Sequence, residues 1–245
     1  MSASRPILVL QHAGCEPPGA YEDELIARKL PFARVLLDQG EQLPDWRAYA
    51  AIVAMGGAMS VNDEVGHPWL VAEKRLIGEA VRAGTPYWGV CLGAQLLAAS
   101  LGASVAAGAR PELGVLAVEL TDAALRDPVF SALPRNFRTL QWHGETYELP
   151  PGAVRLARSP EYEQQAFVLG AAYALQFHLE VDAALIGEWV AMPEYAAELD
   201  RLAGADTPAQ VLADVASIER ESIALARELF ARWLIDVVGI ERERR

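Results

Sequence analysis

Short apolar runs alternate with stretches of helical spacing through the first hundred residues, and few architectures accept that alternation. Ile7 to Gln11 reads as a buried strand, Glu22 to Leu30 as a helix, Ala33 to Leu37 as a second strand and Ala51 to Met55 as a third. Pro68 to Ala83 carries apolar residues at helical intervals and stops at Gly84. The run Pro86-Tyr87-Trp88 then leads through a turn into a helix that begins near Ala94. Strands with no polar face, separated by helices, predict an α/β fold: a three-layer sandwich around a mostly parallel sheet. Reactive groups in such sheets gather beyond the carboxyl ends of the strands.

The middle third changes character. Val115 to Leu120, Thr139 to Trp142, Val154 to Arg158, Ala166 to Leu169 and Ala172 to Phe177 read as strands. The tail reads as helices over Ala183 to Val190, Glu194 to Ala203 and Glu219 to Val238, with a stop at Gly204 and a start signal at Thr207-Pro208. No repeat or low-complexity linker intervenes. The expected organisation is a catalytic domain over residues 1–182 and a helical C-terminal extension, 183–245, packed on it.

Lys and Arg number 21 against 33 Asp and Glu, a net charge of −12, which repels nucleic acid. No apolar run approaches the roughly 18 residues of a membrane span, and Ile7-Leu8-Val9-Leu10 is too short for a signal-peptide core. A cytoplasmic location is expected. The two cysteines, Cys15 and Cys91, do not suggest a disulfide scaffold. With no C-x-x-C pair, H-E-x-x-H or phosphate-binding glycine loop, nothing calls for a metal or other cofactor.

Gly89-Val90-Cys91-Leu92-Gly93 sits between the apolar run and the helix, as a nucleophile elbow does: flanking glycines allow a strained turn that pushes one reactive side chain outward. The bland alternative is a buried core cysteine, but a core strand has little use for glycine on both sides of it. His178 and Glu180, two residues apart in an apparent strand, share a face and pair a base with a group to orient it. His143 with Glu145 has the same spacing and competes as the base; His12 could line the same face, and His67 reads as loop. Gly56-Gly57 could be a plain turn, or could join the Leu92 N–H as an oxyanion donor. Gln95 lies one helical turn beyond Cys91, either as a surface residue or as a substrate contact. Cys15 is an incidental thiol or part of the pocket rim.

Together, Met55-Gly56-Gly57-Ala58-Met59-Ser60, Gly89 to Gln95, Gln141-Trp142-His143-Gly144-Glu145 and Gln176 to Val181 resemble, in order, the motifs of class I glutamine amidotransferases. The stand-alone branch, related to the glutaminase domain of GMP synthase, is the most similar. The resemblance implies a flavodoxin-like sheet, Cys91 as nucleophile, His178 as base and Glu180 as its orienting partner. It implies oxyanion donors at Gly57 and Leu92 and substrate contacts from Gln95, Gly56, His143 and Glu112. The reaction implied is hydrolysis of glutamine, with ammonia passed to a synthetase; a free-standing γ-glutamyl hydrolase and a quiet binding or regulatory protein are the alternatives. Two departures stand out: Leu179 replaces the usual proline of His-Pro-Glu, and Ala58 replaces the proline after the paired glycines. Leu179 loosens φ at the base, and Ala58 leaves the oxyanion loop less pre-set.

Overall fold

The computed structural model describes residues 5–193, 195, 196, 199 and 207–241. Five strands, β1 (Ile7–Gln11), β2 (Phe32–Leu36), β3 (Ala51–Ala54), β4 (Tyr87–Val90) and the later β9 (Ala172–Leu175), pair in parallel in the order β2-β1-β3-β4-β9. That is the flavodoxin-like order, with β9 in the fifth place. Beyond β9 the same sheet continues antiparallel through β8 (Ala166–Leu169), β7 (Val154–Arg158), β5 (Val105–Leu120) and β6 (Asn136–Tyr147).

The expected α/β sandwich is present, but its sheet is mixed rather than mostly parallel. Parallel neighbours need a crossover of about a dozen residues or more. The later strands lack that length; β8 and β9 are joined by Gly170-Ala171 alone. β5 and β6 also outrun their apolar windows. Their outer halves are held by cross-strand pairing, Ala106 with Thr146 and Ala107 with Glu145, which leaves no apolar alternation to read.

Alternate residues of the parallel strands feed two cores. Ile7, Val9, Val53, Trp88 and Tyr173 face α1 (Ala20–Ala27) and α5 (Thr207–Arg232); Leu8, Leu10, Ile52, Tyr87 and Ala174 face α2 (Trp69–Arg82) and α3 (Leu92–Ser100). On the first side Trp88 packs edge-on against Tyr21 and Phe230, 5.6 and 5.5 Å between centroids. A third cluster joins α4 (Ala183–Ala191) to Trp142 of β6.

α5 starts at Thr207, where the start signal stands, rather than at Glu219, and closes in a π-helical turn, Trp233–Val237. Its early turns are amphipathic, with Val211 and Val215 buried one turn apart. The helix expected over Glu194 to Ala203 and its stop at Gly204 lie outside the described residues, apart from Tyr195, Ala196 and Leu199. Among the described residues, no helix is long and apolar enough to cross a membrane.

Candidate active site

The segments that follow β1, β3, β4 and β9 meet at one end of the sheet, and each brings candidate residues there. Cys91 occupies the turn from β4 to α3 at φ 49°, ψ −105°, a conformation that costs a non-glycine residue about 1–3 kcal/mol. Surrounding contacts hold it: Cys91 N–H donates to Leu175 O at 2.7 Å, Gly93 N–H to Met55 O at 3.0 Å, and the Tyr87 hydroxyl to Gly93 O at 2.7 Å. The flanking glycines permit this crowding. A Cβ on Gly93 would lie 2.1 Å from Ala54 O, and one on Gly89 2.6 Å from Gly93 O. Cys91 thus stands at the N-terminus of α3, where the helix dipole favours negative charge on the sulfur.

His178 and Glu180 lie past the end of β9 in an irregular segment, not in a regular strand as expected. His178 N–H is tied to Leu140 O on β6 at 2.9 Å. The ring donates from Nδ1 to Glu180 Oε1 at 2.7 Å, packs edge-on against Trp189 at 5.0 Å and lines the same cavity as Cys91. Burial opposes a charged His178, but the Glu180 carboxylate and the neighbouring Cys91 outweigh it and hold the ring well above its ordinary value. Burial pushes the Cys91 thiol up, and His178 draws it part of the way back. Leu179 is fully buried in the core beneath α5, and its carbonyl accepts from the Ser222 hydroxyl at 3.0 Å. Core packing thus fixes the segment that a proline would otherwise stiffen.

These groups open on a cavity of about 390 Å³, lined in part by Gly57, Cys91, Gln95, His143, Glu145 and His178. Gly56 stands behind Gly57 against the His178 ring, and Leu92 packs beneath Gly57. Gln95 donates to Gln176 Oε1 at 3.2 Å, and the Gln176 amide reaches the Cys91 sulfur at 3.6 Å. Glu112 does not line the cavity. It receives His143 Nε2 at 3.1 Å, the Ser159 hydroxyl at 2.7 Å and the Gln165 amide at 2.6 Å, and so braces the wall from behind. The structure therefore gathers Cys91, His178, Gly57 and Gln95 around one space, with Glu180 bonded to His178 outside it. Cys15, by contrast, packs into the third core cluster, where burial pushes its thiol up to about 11. Both cysteines are free.

A profile described as glutamine amidotransferase class-I matches residues 25–189. The chain belongs to the class I glutamine amidotransferase family. The chain is 34% identical to the GMP synthase (glutamine-hydrolyzing) of Thermomicrobium roseum, over 66% of this chain and 30% of that one. It thus spans less than a third of that relative. It is 30% identical to a GMP synthase (glutamine-hydrolyzing) subunit of Sulfurisphaera tokodaii, over 66% of this chain and 86% of the other. The crystal structure of a glutamine amidotransferase from Thermotoga maritima superposes with a TM-score of 0.85 at 33% identity, covering 98% of this chain and all of that one.

Sequence reasoning missed two residues of this candidate site. Glu16, in the loop after β1, and Tyr195, beyond α4, also line the cavity, with Trp142 and Trp189. The Tyr195 hydroxyl donates to Glu16 Oε1. The signal available for Glu16 was its place just past a strand's carboxyl end. Burial pushes the Glu16 carboxyl above its ordinary value of 4.5, with His178 and Tyr195 opposing. The folded chain therefore holds this proton more tightly than the unfolded chain does. The resulting stability is greatest below about pH 4.5 and is lost as pH rises through the folded value. Glu16→Gln is expected to flatten the decline of Tm as pH rises above about 4.5. Equal slopes in variant and wild type would assign the decline to other groups.

Proposed function

We propose that this chain hydrolyses the γ-amide of glutamine, releasing ammonia and glutamate through a γ-glutamyl thioester on Cys91. One observation carries the reading: a cysteine in strained backbone at a helix N-terminus shares a cavity with a histidine whose far nitrogen is bonded to Glu180 at 2.7 Å. In the proposed cycle the Cys91 sulfur attacks the γ-carbonyl carbon, and the carbonyl electron pair moves onto oxygen between the Gly57 and Leu92 N–H groups. His178, held by Glu180, gives its proton to the amide nitrogen as the C–N bond breaks and ammonia leaves. Water then attacks the thioester, His178 takes its proton, and glutamate departs as the thiol re-forms. Gln95 would hold the substrate amide, with Gly56, His143 and Glu112 shaping the wall. The cycle balances with water alone and needs no cofactor.

Residues 1–182 would form the catalytic unit and 183–245 a helical extension packed on it. A nucleophilic thiol must stay reduced, which fits the cytoplasm. The relative named as a GMP synthase subunit suggests that the ammonia passes to a synthetase partner.

A second reading is supported by the size of the cavity. Glu16, Trp142, Trp189 and Tyr195 complete the lining around the thiol. Its 390 Å³ falls within the range of about 300–1,000 Å³ common for small-molecule sites. That leaves space for a leaving amine larger than ammonia, as in γ-glutamyl amides or peptides. Glutamate release from glutamine and from a panel of γ-glutamyl dipeptides, with Cys91→Ala as blank, separates the two. Fast release from the dipeptides favours the free-standing hydrolase. Slow release confined to glutamine favours a glutaminase whose site is completed only when its synthetase docks. No Cys91-dependent release from any of them would defeat both.

A further inference from the structure

His12 follows β1 directly and is fully buried, stacked on Trp69 at 5.6 Å with the rings 15° apart. Its Nδ1 lies 3.0 Å from Gly56 O, and its Nε2 lies 2.8 Å from Oε1 of the equally buried Glu73 on α2. A carbonyl oxygen only accepts, so Nδ1 carries a proton and donates it to Gly56.

That bond constrains the neighbouring residue. In a trans peptide the C=O of one residue and the N–H of the next lie in one plane and point in opposite directions. With Gly56 O drawn back onto His12, the Gly57 N–H is turned the other way, toward the cavity that Gly57 lines. The preceding carbonyl is tied as well, since Met55 O accepts from Gly93 N–H at 3.0 Å on the elbow. Two glycines in succession resist a peptide flip only weakly, and Ala58 lacks the ring that would stiffen the loop. The orientation of this peptide therefore depends on a clamp from outside the loop.

We infer that His12, backed by Glu73, is a positioning residue that aims the Gly57 N–H at the developing oxyanion. The inference rests on the thioester reading above and extends it to a residue that touches no reacting atom.

Two substitutions separate the two bonds of the ring. The amide nitrogen of Asn falls near the position of Nδ1, whereas that of Gln reaches toward Nε2. His12→Asn should keep the bond to Gly56 and leave Glu73 without its partner, so Tm falls while kcat stays within about ten-fold of wild type. His12→Gln should keep Glu73 bonded and release Gly56, so Tm stays near wild type while kcat drops about 10²-fold, the effect of losing one oxyanion donor. KM should move little in either variant, because the oxyanion exists only in the transition state. Alkylation of Cys91 by iodoacetamide, which builds no oxyanion, should proceed at wild-type rate in both and reports an intact elbow. A purely structural role predicts that kcat follows Tm across the pair; that result, or wild-type kcat in His12→Gln, overturns the inference while the thioester reading stands. Absence of Cys91-dependent turnover in the wild type overturns both.

Discussion

Glutamate release from glutamine is expected to fall by about 10⁴–10⁶-fold in Cys91→Ala, the scale on which hydrolases lose rate when the nucleophile is removed. The oxyanion donors and the cavity survive that change, but no covalent intermediate can form, and water must attack unaided. Intact-mass spectra after a rapid quench give an independent readout. Wild type should carry a γ-glutamyl adduct that Cys91→Ala lacks; retained activity in the variant would remove Cys91 from the mechanism. The same position tests the elbow's strain. At φ 49° and ψ −105°, alanine keeps the unfavourable Cβ whereas glycine removes it. Cys91→Gly should therefore be more stable than Cys91→Ala by about 1–3 kcal/mol, although both are inactive. Equal denaturation midpoints would mean that the turn is relaxed.

Gly93→Ala is expected to destabilise the fold severely. Its Cβ would sit 2.1 Å from Ala54 O, and that carbonyl belongs to β3 in the centre of the parallel sheet. Neither β3 nor α3 has a flexible side chain to move aside, so the backbone itself must shift. A cost of at least about 3 kcal/mol follows, a loss of roughly 10 °C in Tm for a chain of this size. Thermal melts of purified protein check this, and a change below about 1 kcal/mol would show that the strand and helix can separate freely. The two glycine-based predictions have opposite signs because the causes differ. At Cys91 the native residue is strained, whereas at Gly93 only glycine fits.

Much of this was legible in the sequence. The parallel half of the sheet could be read because its strands are short, apolar and separated by helices; Ile7–Gln11 emerges with unchanged limits. The glycines around Cys91 announced the elbow because close backbone approach leaves few other residues possible. The mixed character of the sheet was not legible. Apolar alternation reports burial, while strand direction depends on the length of the connections and on which neighbours pair.

Chain order and local spacing thus determined the family motifs, the elbow and the spacing of His178 and Glu180. Tertiary structure alone decided how they meet. Glu16 and Tyr195, 179 positions apart in the chain, share one hydrogen bond in the cavity wall. His12, Gly56 and Glu73 join β1, the loop after β3 and α2 in a single clamp. Such contacts leave no periodic trace in the sequence, because each partner is set by the packing of a different element against the sheet. The sequence can name a reactive group from its neighbours, but the groups that aim it are neighbours only in space.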